Sequence, residues 1–360
     1  MTLLFAGDLA WPQADILDYQ ALRELADGAA MVVNLEGALL AGPAQECAVN
    51  NDYKFNLYSD ASATGILRQL NVHACGLANN HISDYKGGLA HTRQMLDANG
   101  IAAFGTRALP HCELQVAGTQ YILFGACSAL PEPGTEGSQD SAMPFDPAAA
   151  LAMLARLRQQ FPAAKLVAFL HWGYELARFP QPADREWARQ AIDAGADLVI
   201  GHHPHVVQGY ERYRHGAIAY SLGNAILPQT QYRGRLLHYK TPYVCEQLVL
   251  AVADDGVTAH WLRYHPQEGR LTREGSAPAG DDAQLRERTP FAGMDDAQYR
   301  AWFASTGRLD GNSGHRYSYT FWSYRGWRQA DSALKFALLR ARRSVRKLAI
   351  RSGLHKPYNW

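Results

Sequence analysis

The feature that most constrains this chain is the alternation of short apolar segments with segments of helical periodicity over its first 264 residues. The apolar segments are rich in branched residues and end in polar or glycine-containing turns, which is typical of buried strands. Alternation of this kind predicts an α/β architecture. The predicted strands span 2–6, 31–34, 72–76, 121–126, 166–170, 198–200, 217–221, 244–253 and 257–264, and the predicted helices span 16–27, 61–70, 88–99, 147–160 and 182–194.

The last two predicted strands are joined by the sequence Asp254-Asp255-Gly256. Because Asp-Gly favours the turns that connect antiparallel strands, this pair predicts a hairpin and therefore mixed sheets. Strand signals stop after about residue 265. We predict a domain in residues 1–264, a linker and aromatic-rich segment in residues 265–330, and a basic amphipathic C-terminal helix in residues 331–360.

The C-terminal segment carries most of the positive charge. Residues 331–360 contain eight Lys or Arg and one Asp, whereas the whole chain has a net charge of only +1. This helix could bind anionic lipid or an acidic partner, or it could dock on the domain with its basic face in water. The near-neutral total charge gives no argument for nucleic acid, so we expect no nucleic-acid partner.

Cysteine usage and the absence of long apolar segments bear on localisation. The five cysteines lie far apart without a C-x-x-C pair, which favours free thiols in a reducing compartment. No segment has the pattern of a signal peptide or the length of a membrane-spanning helix. We therefore expect a cytoplasmic protein that contacts the inner face of the membrane peripherally through its basic helix.

Polar residues directly follow six of the apolar segments. In open α/β sheets the carboxyl ends of the strands line one crevice, so these side chains are predicted to converge. Carboxylate, carboxamide and imidazole groups are suitable ligands for divalent Mn, Fe or Zn. The converging residues are Asp8, Glu36, Asn80 with His81 and Asp84, His171, His203 with His205, and Asn224.

These residues lie in motifs that resemble the calcineurin-like metallophosphatase superfamily, and more closely its CapA-like capsule-synthesis branch, the PGA_cap family. The resemblance covers about residues 1–227 and implies a four-layer αββα sandwich of two mixed sheets between helices, here with a helical C-terminal extension. The motifs are GD at 7–8, NLEG at 34–37, ANNHxxDY at 78–85, HWGxE at 171–175, GHHPHVVQ at 201–208 and YSLGN at 220–224.

The resemblance also implies roles for single residues. It places one metal centre near Asp8, Glu36 and His205, and a second near Glu36, Asn80, His171 and His203. It makes His81 and Asp84 a catalytic dyad, in which the carboxylate orients an imidazole that faces the substrate; such an imidazole is a plausible general acid. The residues expected to bind substrate or support the ligands are Asn34, Lys54, Glu175 and Asn224.

One position departs from the superfamily pattern. The superfamily usually has Asp-x-His where this chain has Asp8-Leu9-Ala10, which removes a ligand from the first metal centre. The CapA-like branch commonly lacks this histidine too. One bound divalent ion, two, or none are all compatible with this pattern. His202 ranks below its neighbours because only His203 and His205 have the His-x-His spacing.

The leading hypothesis is a metal-dependent hydrolase of the CapA type, similar to phosphoesterases, in capsule or other surface-polymer biosynthesis. Its substrate would be a small molecule, a polymer or a peptide. A second hypothesis keeps the site without metal, as an acid–base enzyme for epimerase-type proton transfer. A third makes the chain a non-catalytic component of a membrane polymer synthase.

Overall fold

The computed structural model describes residues 2–42, 55–128, 141–254 and 256–307, together with 338, 341, 344, 345, 348, 349, 352 and 354. The helices are α1 (Gln20–Ala26), α2 (Ala63–Gln69), α3 (Gly88–Ala98), α4 (Pro147–Gln160), α5 (Pro182–Asp193), α6 (Ala283–Arg288) and α7 (Asp296–Trp302). The strands are β1 (Leu3–Leu9), β2 (Ala30–Leu35), β3 (Ala38–Leu40), β4 (Tyr58–Asp60), β5 (Val72–Gly76), β6 (Ala102–Phe104), β7 (His111–Val116), β8 (Thr119–Cys127), β9 (Lys165–His171), β10 (Leu198–His202), β11 (Tyr210–Tyr213), β12 (Gly216–Ala219), β13 (Asn224–Ile226), β14 (Gln231–Tyr232), β15 (Arg235–Leu236), β16 (Glu246–Ala253), β17 (Gly256–His265) and β18 (Arg270–Pro278).

Two mixed sheets form the centre of the fold. The first has the order β18-β17-β16-β1-β2-β5-β6, with β13 also paired to β1, and the second has the order β11-β12-β10-β9-β8-β7. Strands β1, β2, β5 and β6 are mutually parallel, as are β8, β9, β10 and β12. Strand β13 also pairs parallel with β1. Strands β16, β17 and β18 of the first sheet and β7 and β11 of the second pair antiparallel with their neighbours. The carboxyl ends of the two parallel sets carry the candidate site.

Alternation along the strands separates three buried layers of side chains. In β1, Leu3 and Phe5 face the second sheet, whereas Leu4 and Ala6 pack with the helices α1, α2 and α3. On the second sheet, Val167 and Phe169 of β9 face inward while their neighbours pack under α4 and α5. Side chains point to opposite faces at every second residue of a strand. The result is the predicted four-layer αββα sandwich, and the predicted fold class is confirmed.

All nine predicted strands and all five predicted helices are present, with ends shifted by a few residues. Helix α4 shows why such starts can be predicted, because Asp146 accepts a hydrogen bond from the Ala149 amide and Pro147 is the first helical residue. The predicted hairpin is also confirmed, since β16 pairs antiparallel with β17 up to Ala253 and Gly256.

The prediction of a linker after residue 265 was wrong for Arg270–Pro278, which form β18 at the edge of the first sheet. An edge strand buries one face at most, so β18 lacks a continuous apolar run. In the aromatic-rich segment, Phe291, Tyr299 and Phe303 pack into the outer core. Residues 308–330 and most of 331–360 lie outside the described residues. In the described part of the chain, no helix has the length and apolarity needed to cross a bilayer.

Candidate active site

The candidate site lies where the two sheets bring their strand ends together. Asp8 is the second-last residue of β1, Glu36 follows β2, and Asn80 and His81 follow β5 on the first sheet. His171 ends β9, while His203 and His205 follow β10 on the second sheet. Contacts between these groups cross from one sheet to the other: the Asn34 amide nitrogen lies 3.3 Å from His171 Nδ1, and the His203 amide donates to Asp8 Oδ2 at 3.3 Å.

Asp8 organises one half of the site. Its carboxylate is fully buried, and its Oδ1 accepts a hydrogen bond of 2.7 Å from Asn34 Nδ2. His205 Nδ1 lies 3.2 Å from Asp8 Oδ2 and 3.0 Å from Asn224 Oδ1. Asn224 Nδ2 in turn donates to the Val244 carbonyl at 3.4 Å. These contacts fix the orientation of both the carboxylate and the imidazole.

His171 organises the other half. Its Nε2 lies 2.7 Å from Asn80 Oδ1 and 3.7 Å from Glu36 Oε1. The ring of His203 is 4.7 Å from that of His171, centroid to centroid. The structure therefore brings together all four residues that the resemblance assigned to the second metal centre.

Glu36 lies between the two halves. It is fully buried, its Oε2 is 3.8 Å from His205 Nδ1, and neither carboxylate oxygen has a hydrogen-bond partner among the described residues. Ligand atoms of Glu36, His203 and His205 all lie within 4.8 Å of one another. Because burying an unpaired carboxylate is costly, this arrangement fits a bound cation. Oxygen and imidazole donors suit the divalent ions Mn, Fe and Zn.

The protonation of the site follows from burial and from neighbouring charges. Burial raises the pKa of Glu36 well above its usual value, and Asp8 and Glu175 add to this effect against the charge of His205. Burial alone would raise the pKa of Asp8, but the neighbouring imidazoles of His202 and His205 hold it well below its usual value. Asp8 is therefore ionised, whereas a charged Glu36 requires a nearby cation.

The histidines divide into two kinds. Burial lowers the pKa of His171 well below its usual value and that of His203 to about 4. Neutral imidazole is the form that can bind a metal. Burial would also lower the pKa of His205, but the carboxylates of Glu36 and Asp8 raise it to about 10. Without a bound cation His205 thus carries the counter-charge to the buried carboxylates, and it would release this proton on binding a metal.

The backbone around Pro204 is strained. His203 has a φ of 94° and His205 a φ of 57°, both in the left-handed region that side chains with a Cβ rarely adopt. Such strain persists only where the surrounding structure stabilises the strained conformation, which is typical of functional sites. The two turns direct the His203 ring towards His171 and the His205 ring towards Asp8.

His81 and Asp84 form the predicted dyad at the edge of this site. His81 Nδ1 lies 2.6 Å from Asp84 Oδ2, and the Leu57 amide donates to the same oxygen at 2.9 Å. The charge of His81 is among the causes that lower the pKa of His203, which places the two imidazoles near each other. A carboxylate on Nδ1 orients the ring and leaves Nε2 to act on another molecule.

The four predicted substrate-binding residues have different surroundings. Asn34 and Asn224 are 1% and 3% exposed and hydrogen-bond Asp8 and His205, so they support the predicted ligands and do not line the mouth of the site. Glu175 is partly exposed, and its charge raises the pKa of Glu36. Lys54 lies outside the described residues.

Two residues of the site were not predicted. His202 is fully buried, with Nδ1 3.5 Å from Asp8 Oδ1 and its ring 4.2 Å from the ring of Phe169. Its position as the last residue of β10 was the available signal. Tyr239 lies with its ring 5.5 Å from that of His205. No sequence signal could have found Tyr239, because it belongs to a loop that the fold alone brings to the site.

Comparison with known proteins agrees with the motifs. The model of the family described as "Bacterial capsule synthesis protein PGA_cap" matches residues 6–229. The PGA biosynthesis protein CapA of Bacillus subtilis is 29% identical over 192 residues, which cover 51% of this chain and 50% of that protein. The capsule biosynthesis protein CapA of Bacillus anthracis is 33% identical over 113 residues, covering 31% and 26%. The matched part therefore spans half or less of these relatives.

Solved structures with the same general arrangement are more distant. A novel phosphatase of Mycoplasma pneumoniae is 12% identical, with a TM-score of 0.43 and coverage of 81% of this chain and 98% of that one. The NAD nucleotidase of Haemophilus influenzae is 13% identical, with a TM-score of 0.39 and coverage of 85% and 59%. Likeness of this degree carries no information on activity.

Proposed function

Because this chain belongs to the PGA_cap family, as its motifs predicted, we propose that it is a metal-dependent hydrolase acting on a phosphoester or a related bond in the synthesis of capsule or another surface polymer. The observation that carries this proposal is the buried cluster around Glu36. Glu36 has two unpaired oxygens and lies beside His203 and His205. Burying such a side chain without a partner is costly, so this arrangement suits a binding site for a divalent cation better than ordinary core packing.

The residues that would hold the metal fall into the two groups seen in the structure. Asp8 and His205 would bind on one side, Asn80, His171 and His203 on the other, with Glu36 between them. A bound divalent ion would supply Lewis-acid polarisation of a phosphoryl oxygen. Asn34 and Asn224 would keep the Asp8 carboxylate and the His205 imidazole in the orientations that binding requires.

His81 is the proposed general acid. With Asp84 on its Nδ1, its Nε2 can donate a proton to the oxygen of a departing alcohol. The buried Asp84 also stabilises the protonated imidazole before transfer. Proton donation of this kind accelerates a reaction about 10²- to 10⁴-fold.

Hydrolysis of chromogenic phosphate monoesters and diesters tests the proposal. We expect turnover that is lost with EDTA and restored by Mn, Fe or Zn, and that falls at least about 100-fold in His81→Gln with unchanged metal content. His215→Gln, at the exposed turn between β11 and β12, is the matched control. Absence of metal-dependent turnover across the panel, or full activity of His81→Gln, would contradict the assignment.

A metal-independent acid–base enzyme is the second candidate, and the observation that favours it is the His81–Asp84 pair, whose imidazole and carboxylate lie 2.6 Å apart and can transfer a proton by themselves. Such an enzyme would exchange a carbon-bound proton of its substrate with solvent. Deuterium uptake from heavy water by candidate peptides or sugars, insensitive to EDTA, is the expected result. Uptake that requires added metal would count against this candidate.

We also propose that the basic C-terminal segment contacts a membrane surface. Leu338, Val345 and Leu348 have helical backbone and are 57%, 67% and 69% exposed. Apolar side chains in a Lys- and Arg-rich helix suit anionic lipid. The full chain is expected to co-sediment with vesicles containing phosphatidylserine and not with neutral vesicles, and a chain ended after Gly326 should bind neither. Equal binding by the shortened chain would refute this.

A further inference from the structure

Tyr239 lies next to the candidate site, beside His205. It lies in the loop that follows the small hairpin of β14 and β15, where its amide donates a 2.8 Å hydrogen bond to Gln229 Oε1. Its ring is 5.5 Å from the His205 ring, at an angle of 43°. The loop therefore holds a phenol beside a predicted metal ligand.

A buried apolar cluster fixes the position of this ring. Tyr239 packs, partly buried, against a cluster that includes Ala10, Phe55, Tyr232 and Leu237. Ala10 lies two residues after Asp8, belongs to this cluster and offers only a methyl group there. The cluster thus joins the segment that follows Asp8 to the ring of Tyr239.

The surroundings of the hydroxyl make it a donor. In the described part of the chain, the Tyr239 hydroxyl has no hydrogen-bond partner within the protein. A tyrosine hydroxyl is a neutral donor at neutral pH, because its ordinary pKa is about 10. Its proton is therefore available to an acceptor that enters the site.

We infer that Tyr239 is a substrate-binding residue, whose hydroxyl donates a hydrogen bond to a phosphoryl oxygen held beside His205. This inference rests on the proposed function, because it assigns a phosphoryl group to the same site. Another acidic side chain at this point would repel an oxyanion. A neutral hydroxyl can instead donate a hydrogen bond to it, even with carboxylates nearby.

Binding of inorganic phosphate to the full chain tests the inference, measured by calorimetry on Mn-loaded and on EDTA-treated protein. Tyr239→Phe keeps the ring and removes only the hydroxyl. We expect it to raise the Kd for phosphate about 10- to 100-fold, as loss of a hydrogen bond to a charged group does, with unchanged Mn content and unfolding temperature. Tyr58→Phe, which removes a hydroxyl from another partly buried ring packed on the same cluster, is the matched control and should bind as the wild type does.

Equal phosphate affinity in Tyr239→Phe and the wild type would overturn the inference. Loss of Mn from Tyr239→Phe would also overturn it, because the phenol would then be a metal ligand. So would a wild type that binds no phosphate, with or without Mn. Should Tyr239→Phe unfold, Tyr239→His, which keeps a ring donor, must bind phosphate more tightly than Tyr239→Leu. A wild type that binds phosphate but no metal would refute the proposed function and leave the inference standing on the Tyr239→Phe comparison.

Discussion

Glu36 and Asp184 are two buried carboxylates in different surroundings. Burial raises the pKa of both, but Glu36 has His203 and His205 beside it, whereas Asp184 lies in the first turn of α5 with a backbone hydrogen bond at Gln181. Burial brings the pKa of Asp184 to about 7. We propose that Glu36 keeps its charge by binding a cation, and that Asp184 lowers its energy by taking up a proton.

This difference predicts how stability depends on pH. The folded pKa of Asp184, about 7, exceeds its ordinary value of 3.8, so the folded state binds the proton more tightly and the free energy of unfolding falls as pH rises between these values. In Asp184→Asn this loss is absent. Measured by urea unfolding, the advantage of the variant over the wild type should grow by roughly 3 kcal/mol from about pH 4 to pH 8. The exposed Asp97→Asn should show no such trend; a flat Asp184→Asn difference would contradict the explanation.

Most of the site residues could be predicted because each follows an apolar strand directly, as Glu36, His171 and His203 do. Their convergence needed only the rule that parallel strands end at one edge. His202 was ranked below His203 and His205 because the ranking used the His-x-His spacing. That spacing does not show which imidazole at the end of a strand points into the site. Tyr239 could not be predicted, since its place depends on how a loop packs against Ala10 and the aromatic cluster.

Among the elements, residues 279–303, called the C-terminal extension from here on, are attached through a buried charge network. Arg185 of α5 is fully buried, forms a bidentate pair with Glu211 at 2.7 and 2.8 Å, and donates to the Met294 carbonyl at 2.8 Å. Tyr299 of α7 donates to the Pro180 carbonyl at 2.7 Å, in the loop that follows His171. The extension therefore supports the loop that carries Glu175.

Removing the Arg185 guanidinium should free this extension. Arg185→Met leaves Glu211 buried without its main partner, and we expect the free energy of unfolding to fall by about 3–5 kcal/mol. Limited proteolysis should cut residues 279–303 earlier than in the wild type. Arg212→Met, exposed on the neighbouring β11, controls for loss of an arginine and should change neither measurement. An Arg185→Met chain with wild-type stability and protection would show that the network is dispensable.

The strands with the clearest sequence signal are those buried on both faces. Strands such as β9 and β10 lie inside a sheet covered on both sides, so their sequences are continuously apolar. Strands β7 and β18 lie at sheet edges and alternate between partly buried and exposed residues, which leaves little apolar signal. The single buried leucine of β18, Leu271, is too little to distinguish a strand from a loop.

At the scale of the whole molecule, two sheets pack face to face, and the carboxyl ends of their parallel strands meet at one polar site that the apolar layers hold in place. Each sheet supplies part of the donor set, so the site exists only when both sheets are packed together. Binding of a cation should for that reason stabilise the entire sandwich, because the unfolded chain has no such site.

Metal content of the purified full chain tests this account most directly, together with Glu36→Gln as a variant of the same shape and Glu24→Gln, exposed on α1, as its control. We predict about one or two Mn, Fe or Zn ions per chain in the wild type and in Glu24→Gln, and a large loss of metal in Glu36→Gln. A wild-type content below about 0.2 ions per chain that added Mn, Fe or Zn does not raise would contradict the central claim.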